Sequence, residues 1–202
     1  MNEIKQLPNK EIKNSGCVGK KFLELGVDDF HHACRWVREL PYGYNSNHSD
    51  PLIVFAERRG ICTTKHGVIA LLALELGLDV HRMLGFYRLD EKIVSGTGEI
   101  LAKHGLCYIP QIHCFLGFHT SFVDLTEDDC HARKKRLDEF DVIFRAQADL
   151  SEVEELELYK VGLEYYMMRD KKLESIKKDS LIAILQKCDE SHKRLCSLQS
   201  KT

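Results

Sequence analysis

Cys62, His113 and Asp124 are the residues whose types and positions in this 202-residue chain could carry a reaction: a sulfur nucleophile, an imidazole base and a carboxylate to orient the imidazole. Cys62 lies in the stretch Gly60 Ile61 Cys62 Thr63 Thr64 Lys65 His66 Gly67, just ahead of a dense apolar run over 68–76 that ends at Gly77. The run is too apolar for a helix with a single buried face, so it predicts a helix buried on most sides, with the thiol in its first turn. At that position unpaired backbone N–H groups and the positive end of the helix dipole favour a thiolate, the form that attacks carbonyls. A free cysteine, with a pKa of about 8.5, is only a few per cent thiolate near neutrality. Pairing with histidine can bring it to roughly 3 to 4, on the order of 6 kcal/mol in favour of the ion pair. Gly60, just before, allows another backbone or a substrate to come close.

The base and its orienter come together if 112–126 is a hairpin of two strands. A turn centred between Phe118 and His119 sets His113 opposite Asp124, and Phe115 opposite Phe122, on one face. Opposed residues have Cβ atoms about 4.5 to 5.5 Å apart, which suits a carboxylate accepting from an imidazole N–H. The geometry depends on the turn, because loop length sets register. Asp124 would then fix the tautomer of His113 and leave its other ring nitrogen to face Cys62. His66 is a competing base, one turn along from Cys62, without an evident carboxylate to orient it. Lys65 reads as a cap or a solvated rim residue. Cys114 should point to the opposite face of its strand from His113 and pack as a thiol. The remaining histidines have no partner pattern.

These residues need a frame. Apolar spacing at Phe30, Ala33, Cys34, Val37 and Leu40 predicts a helix over 28–40, which Trp36 extends and Pro41 ends. A turn-rich loop follows at 42–49, and Ser49 or Asp50 before Pro51 signals a short helix over 51–58. Residues 78–87 read as a strand beside the cysteine helix, 91–105 as a loop with one helical turn, and 138–145 as another strand. Residues 152–168 and 171–196 read as two charged helices. Residues 1–26 have no sustained period and read as a loosely ordered lead-in to a single domain over 27–202.

Composition narrows the field. A hydrophobic content of 44% supports a sizeable core, and a net charge of -2 from 29 basic and 31 acidic residues predicts no nucleic acid or other polyanionic partner. No segment reaches the roughly 18 apolar residues of a membrane span, and the polar start is unlike a signal peptide, so a cytoplasmic protein with no membrane partner is expected. The eight cysteines are then expected as free thiols, and none forms a Cys-x-x-Cys pair that would suggest structural zinc.

Gly60, Cys62, Lys65 and His66 with the apolar helix behind them, followed by His113 and by Phe122 Val123 Asp124 Leu125 Thr126, resemble the transglutaminase-like core of the papain-like cysteine enzymes. Trp36 Val37 and Leu40 Pro41 Tyr42 Gly43 add a looser match, so that the resemblance spans 28–126. It implies an α+β fold, with the nucleophile helix packed on an antiparallel sheet and two extra C-terminal helices. It also implies Cys62 as nucleophile, His113 as base and then acid, Asp124 as orienter, and no cofactor or metal. The oxyanion would be held by the N–H of Cys62 and a second donor, for which Asn45 and Asn47 are candidates. Animal transglutaminases have Trp after the nucleophile and Ala-Trp after the histidine, where this chain has Thr63, Cys114 and Phe115. That departure favours hydrolysis over crosslinking, and no calcium loop is present. Three functions stay open: a thiol hydrolase acting on a peptide, protein or small amide or ester, a binding or scaffold domain without turnover, and acyl transfer to an amine.

Overall fold

The computed structural model describes residues 3–13, 16–126 and 139–199, with side chains described to residue 195. Among the described residues the helices are α1 (Cys17–Glu24), α2 (Phe30–Glu39), α3 (Ile53–Glu57), α4 (Cys62–Leu76), α5 (Thr97–Ala102), α6 (Glu152–Met167), α7 (Lys171–Glu174) and α8 (Lys178–Gln199). The strands are β1 (His81–Leu89), β2 (Ile109–Phe118), β3 (Ser121–Val123) and β4 (Val142–Ala146), joined in one antiparallel sheet in the order β3-β2-β1-β4. The fold is α+β.

The chain divides into two compact units, and β1 and β2 contribute residues to both. One comprises Met1–Leu84, His113–Glu127 and Ile143–Glu152; the other comprises Gly85–Ile112, Asp128–Val142 and Val153–Thr202, as far as these ranges are described. The single domain expected over 27–202 is thus subdivided. Cys62, His66, His113 and Asp124 all belong to the first unit.

In that unit α4 is the central element. Val68, Ile69, Ala70, Leu72, Ala73 and Leu76 are buried, and Gly77 ends the helix in the left-handed conformation at φ 65°, which glycine adopts without a Cβ penalty. Asp29 caps α2 by accepting from the His32 N–H at 2.8 Å, and α2 turns Phe30, Ala33, Cys34 and Val37 inward onto the same core. Leu116, Val123 and Leu125 join it from the hairpin. Trp36 lies at the edge, stacked on Phe55 at 5.4 Å and edge-on to Phe22 at 5.7 Å, with the Arg58 guanidinium 5.4 Å from its ring.

The lead-in is a correction. Residues 3–13 and 16–26 are ordered parts of the core: Ile4, Leu7, Ile12, Val18 and Phe22 are all buried. They show no single period because three kinds of backbone supply them: a 3-10 turn at Glu3–Gln6, an extended bridge of Glu11 to Asp29, and α1.

In the second unit, the tip of the Phe86 ring meets α6 where Gly162 leaves room. A Cβ there would lie 2.1 Å from the ring, and Tyr159 of the same helix stacks on Phe86 with centroids 6.0 Å apart. Tyr166 donates to Asp141 at 2.9 Å, Tyr108 to Asp170 at 2.8 Å, and Tyr159 to the Pro110 carbonyl at 2.9 Å. The expected last helix is split, because Asp170 caps the short α7 and α8 begins afresh at Lys178. Leu181, Ile184, Leu185 and Cys188 form the buried face of α8. The expected strand over 138–145 is β4, and Asp138, Cys130 and His131 lie outside the described residues.

Candidate active site

The first turn of α4 is held by its own polar residues. Gly60 precedes it because a Cβ there would come within 2.8 Å of Thr64 Oγ1 and 3.1 Å of Lys65 Cγ, so its role is close passage of the chain against the helix. Thr64, the third helical residue, accepts from the Ile61 N–H at 3.1 Å and donates to Asn45 Oδ1 at 2.8 Å. Asn45 in turn donates to Glu57 and to the Arg59 carbonyl, at 3.1 and 3.0 Å. Lys65 has no exposed surface, and its ammonium donates to the carbonyls of Arg38 and Leu40 at 3.2 and 2.6 Å. Those carbonyls are unpaired at the C-terminal end of α2, where the helix dipole also favours a cation. Cys62, the first helical residue, is half-buried.

The hairpin brings the base and the carboxylate together. His113 Nε2 donates to Asp124 Oδ2 at 2.8 Å, with the imidazole buried and the carboxylate side chain 30% exposed. The register differs from the expected one. Leu116 pairs with Val123, Gly117 with Phe122 and Phe118 with Ser121, so the two-residue turn is His119-Thr120, with His119 at φ 50°. Moving the turn by one residue changes every partner by two, which keeps each side chain on its face. His113 and Asp124 therefore meet as same-face neighbours one step off direct opposition, and Phe115 meets Phe122 edge-on at 5.2 Å.

His66 joins the nucleophile's turn to this pair. Its Nδ1–H donates to the Cys62 carbonyl at 2.8 Å, and its Nε2 accepts from the Leu125 N–H at 2.7 Å. Its ring centroid is 6.4 Å from that of His113, and its Nε2 is 3.4 Å from Asp124 Oδ1. No family model, curated protein or solved structure matches this chain. Chemistry at this cluster is therefore argued from its geometry.

Electrostatics separates the two histidines. Burial pushes the His66 pKa down to about 4, against the opposing pull of Asp124 and with help from His113 and Lys65, so near neutrality its ring is uncharged. With one nitrogen donating to a carbonyl and the other accepting from an N–H, it has no lone pair to offer a reacting thiol, which removes it as a competing base. For Asp124, burial works against the charged form. The charge and hydrogen bond of His113, with His66 and the Thr126 N–H at 2.8 Å, outweigh it and hold the carboxyl well below the usual carboxylate range. Arg38 donates to the Asp124 backbone carbonyl at 2.9 Å.

His113 and Asp124 are thus in direct contact, and Cys62 is tied to them through its own carbonyl and His66. Several expectations change. Lys65 is a buried tie rather than a rim residue. Asn45 does not stand as the second oxyanion donor, because its amide N–H groups are consumed by Glu57 and the Arg59 carbonyl, while Asn47 Oδ1 accepts from the Ser49 N–H as a turn former. The supporting roles of Thr64, Lys65 and His66 had one legible signal: three consecutive polar residues in a helix without a polar face must be buried, and buried polar groups need partners. Of the eight cysteines, Cys17, Cys34, Cys62, Cys107, Cys114 and Cys188 are free thiols; burial pushes the Cys34 thiol up strongly and that of Cys188 to about 11. Among the described residues no group of three or more His, Cys, Asp or Glu side chains is arranged to hold a metal.

Proposed function

We propose that the protein is a thiol hydrolase acting on an amide or ester, with Cys62 as nucleophile, His113 as base and then acid, and Asp124 as orienter, on a transglutaminase-like core. The observation that carries this reading is the 2.8 Å bond from His113 Nε2 to Asp124 Oδ2. A carboxylate only accepts, so the bond assigns the ring proton of neutral His113 to Nε2 and makes Nδ1 the basic nitrogen. Cys62 belongs to the same cluster, at the first position of α4, and its carbonyl accepts from His66 Nδ1–H.

In the reaction His113 Nδ1 takes the thiol proton and the sulfur attacks the carbonyl carbon. The resulting oxyanion is met by the Cys62 N–H. The tetrahedral species collapses as His113 gives its proton to the leaving amine or alcohol, the C–N or C–O bond breaks, and a thioester remains. Water then attacks the thioester, His113 accepts its proton, and breaking of the C–S bond releases the acid and restores the ion pair. Asp124 keeps its hold on Nε2–H throughout and stabilises the imidazolium.

Iodoacetamide labelling at pH 7 tests the ion pair, with exposed Cys17 and Cys107 as internal references. Cys62 is expected to react at least tenfold faster than either, and His113→Ala is expected to abolish the difference. Labelling of Cys62 at the reference rate in the unaltered protein would leave a binding domain without turnover. A hydroxamate formed on adding hydroxylamine during turnover would report the thioester, and product analysis with an added amine separates hydrolysis from transfer.

A further inference from the structure

We propose that His66 is a positioning residue for this site: a neutral imidazole, fixed as the Nδ1–H tautomer, that clamps the turn bearing Cys62 to the peptide following Asp124. The proposal rests on the hydrolase reading for its consequence in the reaction, but the clamp itself stands on geometry.

Both ring nitrogens are committed, and each to a group with only one role. The Cys62 carbonyl can only accept, so Nδ1 carries the proton; the Leu125 N–H can only donate, so Nε2 does not. In an α-helix the Cys62 carbonyl already accepts from the His66 backbone N–H, so the ring takes its second lone pair and stiffens the turn from which the sulfur projects. At the far end the ring grips the Leu125 amide, one residue from the carboxylate that orients His113. A single side chain with no exposed surface thereby couples two segments 59 residues apart in sequence.

The tautomer matters as much as the reach. His66 Nε2 lies 3.4 Å from Asp124 Oδ1. A cation at that nitrogen would draw the carboxylate away from His113, whereas a lone pair leaves Oδ2 to His113 and Oδ1 to the Thr126 N–H. The charged or titratable groups around the ring are Asp124, His113 and Lys65. Burial and the Lys65 charge both favour the neutral ring, in agreement with the hydrogen bonding. His66 touches no reacting atom and acts through Asp124 and the helix turn.

The test combines a spectrum with a mutant cycle. Imidazole 15N NMR of the unaltered protein at pH 6 to 8 is expected to show His66 neutral and protonated at Nδ1, and His113 carrying a proton at Nε2. His66→Asn keeps an amide donor for the Cys62 carbonyl but leaves the Leu125 N–H unaccepted. It is expected to slow iodoacetamide labelling of Cys62 at least tenfold at pH 7, yet less than twofold in an Asp124→Asn background, where the group it acts through is already lost. An equal loss in both backgrounds, or none in the first, overturns the proposal. If the Asn variant does not fold, the spectrum decides, and a His66 found protonated at Nε2 sinks it. If Cys62 of the unaltered protein labels no faster than Cys17, the hydrolase reading fails, while the spectrum still decides whether the clamp exists.

Discussion

A lysine ammonium with no exposed surface is costly unless its charge is met, and Lys65 donates to two backbone carbonyls. The partners, Arg38 and Leu40, are the C-terminal carbonyls of α2, groups that otherwise lack intrahelical donors. Lys65→Met preserves much of the side-chain volume but leaves both carbonyls unpaired. It is expected to lower unfolding free energy by about 1 to 3 kcal/mol in urea titration. A loss below about 0.5 kcal/mol would mean that water reaches those carbonyls instead. This residue also marks where reading the sequence stops short. Thr64, Lys65 and His66 resemble an exposed helix start when only the next residue is known. Their burial comes from segments far away in the chain, the end of α2 for Lys65 and the amide of Leu125 for His66. Cys62 and Gly77 were legible because a helix start and a C-terminal glycine are local facts.

At the level of elements, side chains from distant segments complete the helix ends. The Glu75 carboxylate, near the end of α4, accepts from the Val18 and Gly19 N–H groups at 2.9 and 2.7 Å and so caps the start of α1. Lys10 donates to the Leu76 carbonyl at the end of α4. Each arrangement opposes the sign of the helix dipole. Gly16 is part of the first cap, because a Cβ there would lie 2.0 Å from the Glu75 carboxyl carbon. Glu75→Ala and Gly16→Ala are each expected to cost about 1 to 2 kcal/mol and to speed amide exchange across α1. Since both remove the same cap, the double variant is expected to cost little more than the worse single one. Full additivity would show that Gly16 is needed for another reason. The hairpin shows the opposite case, in which an expectation survived an error. The turn was displaced by one residue, yet His113 and Asp124 stayed on one face, because strand periodicity is two and the displacement moved partners by two. The lead-in was illegible for a related reason: core residues delivered by a 3-10 turn, a bridge and a helix share no common period.

For the whole molecule these local choices predict how stability depends on pH, and the two limbs belong to different units. Between pH 6.5 and about 4 the unfolded chain binds a proton at His66 that the folded chain refuses, so acid favours unfolding across that window. His66 thus contributes stability that is complete above pH 6.5 and lost by about pH 4, on the order of 3 kcal/mol for this fully buried ring. Asp124 continues the same trend below pH 3.8, because its folded carboxyl stays ionised where the unfolded one protonates. On the alkaline side the sign reverses. Tyr108 and Tyr166, in the other unit, are held protonated above pH 10, first by burial and then by their bonds to Asp170 and Asp141. Above that pH the unfolded chain loses protons that the folded chain keeps, so stability falls again. Urea titrations from pH 3.5 to 11 are therefore expected to trace a dome with a plateau from about 6.5 to 10. His66→Asn should flatten the acid limb between pH 6.5 and 4 while lowering the plateau, and Tyr166→Phe should reduce the alkaline slope and leave the acid limb alone. An acid limb unchanged in the His66 variant would mean that the imidazole is hydrated in the folded chain. The clamp between the Cys62 turn and the Asp124 peptide would then lose its electrostatic basis.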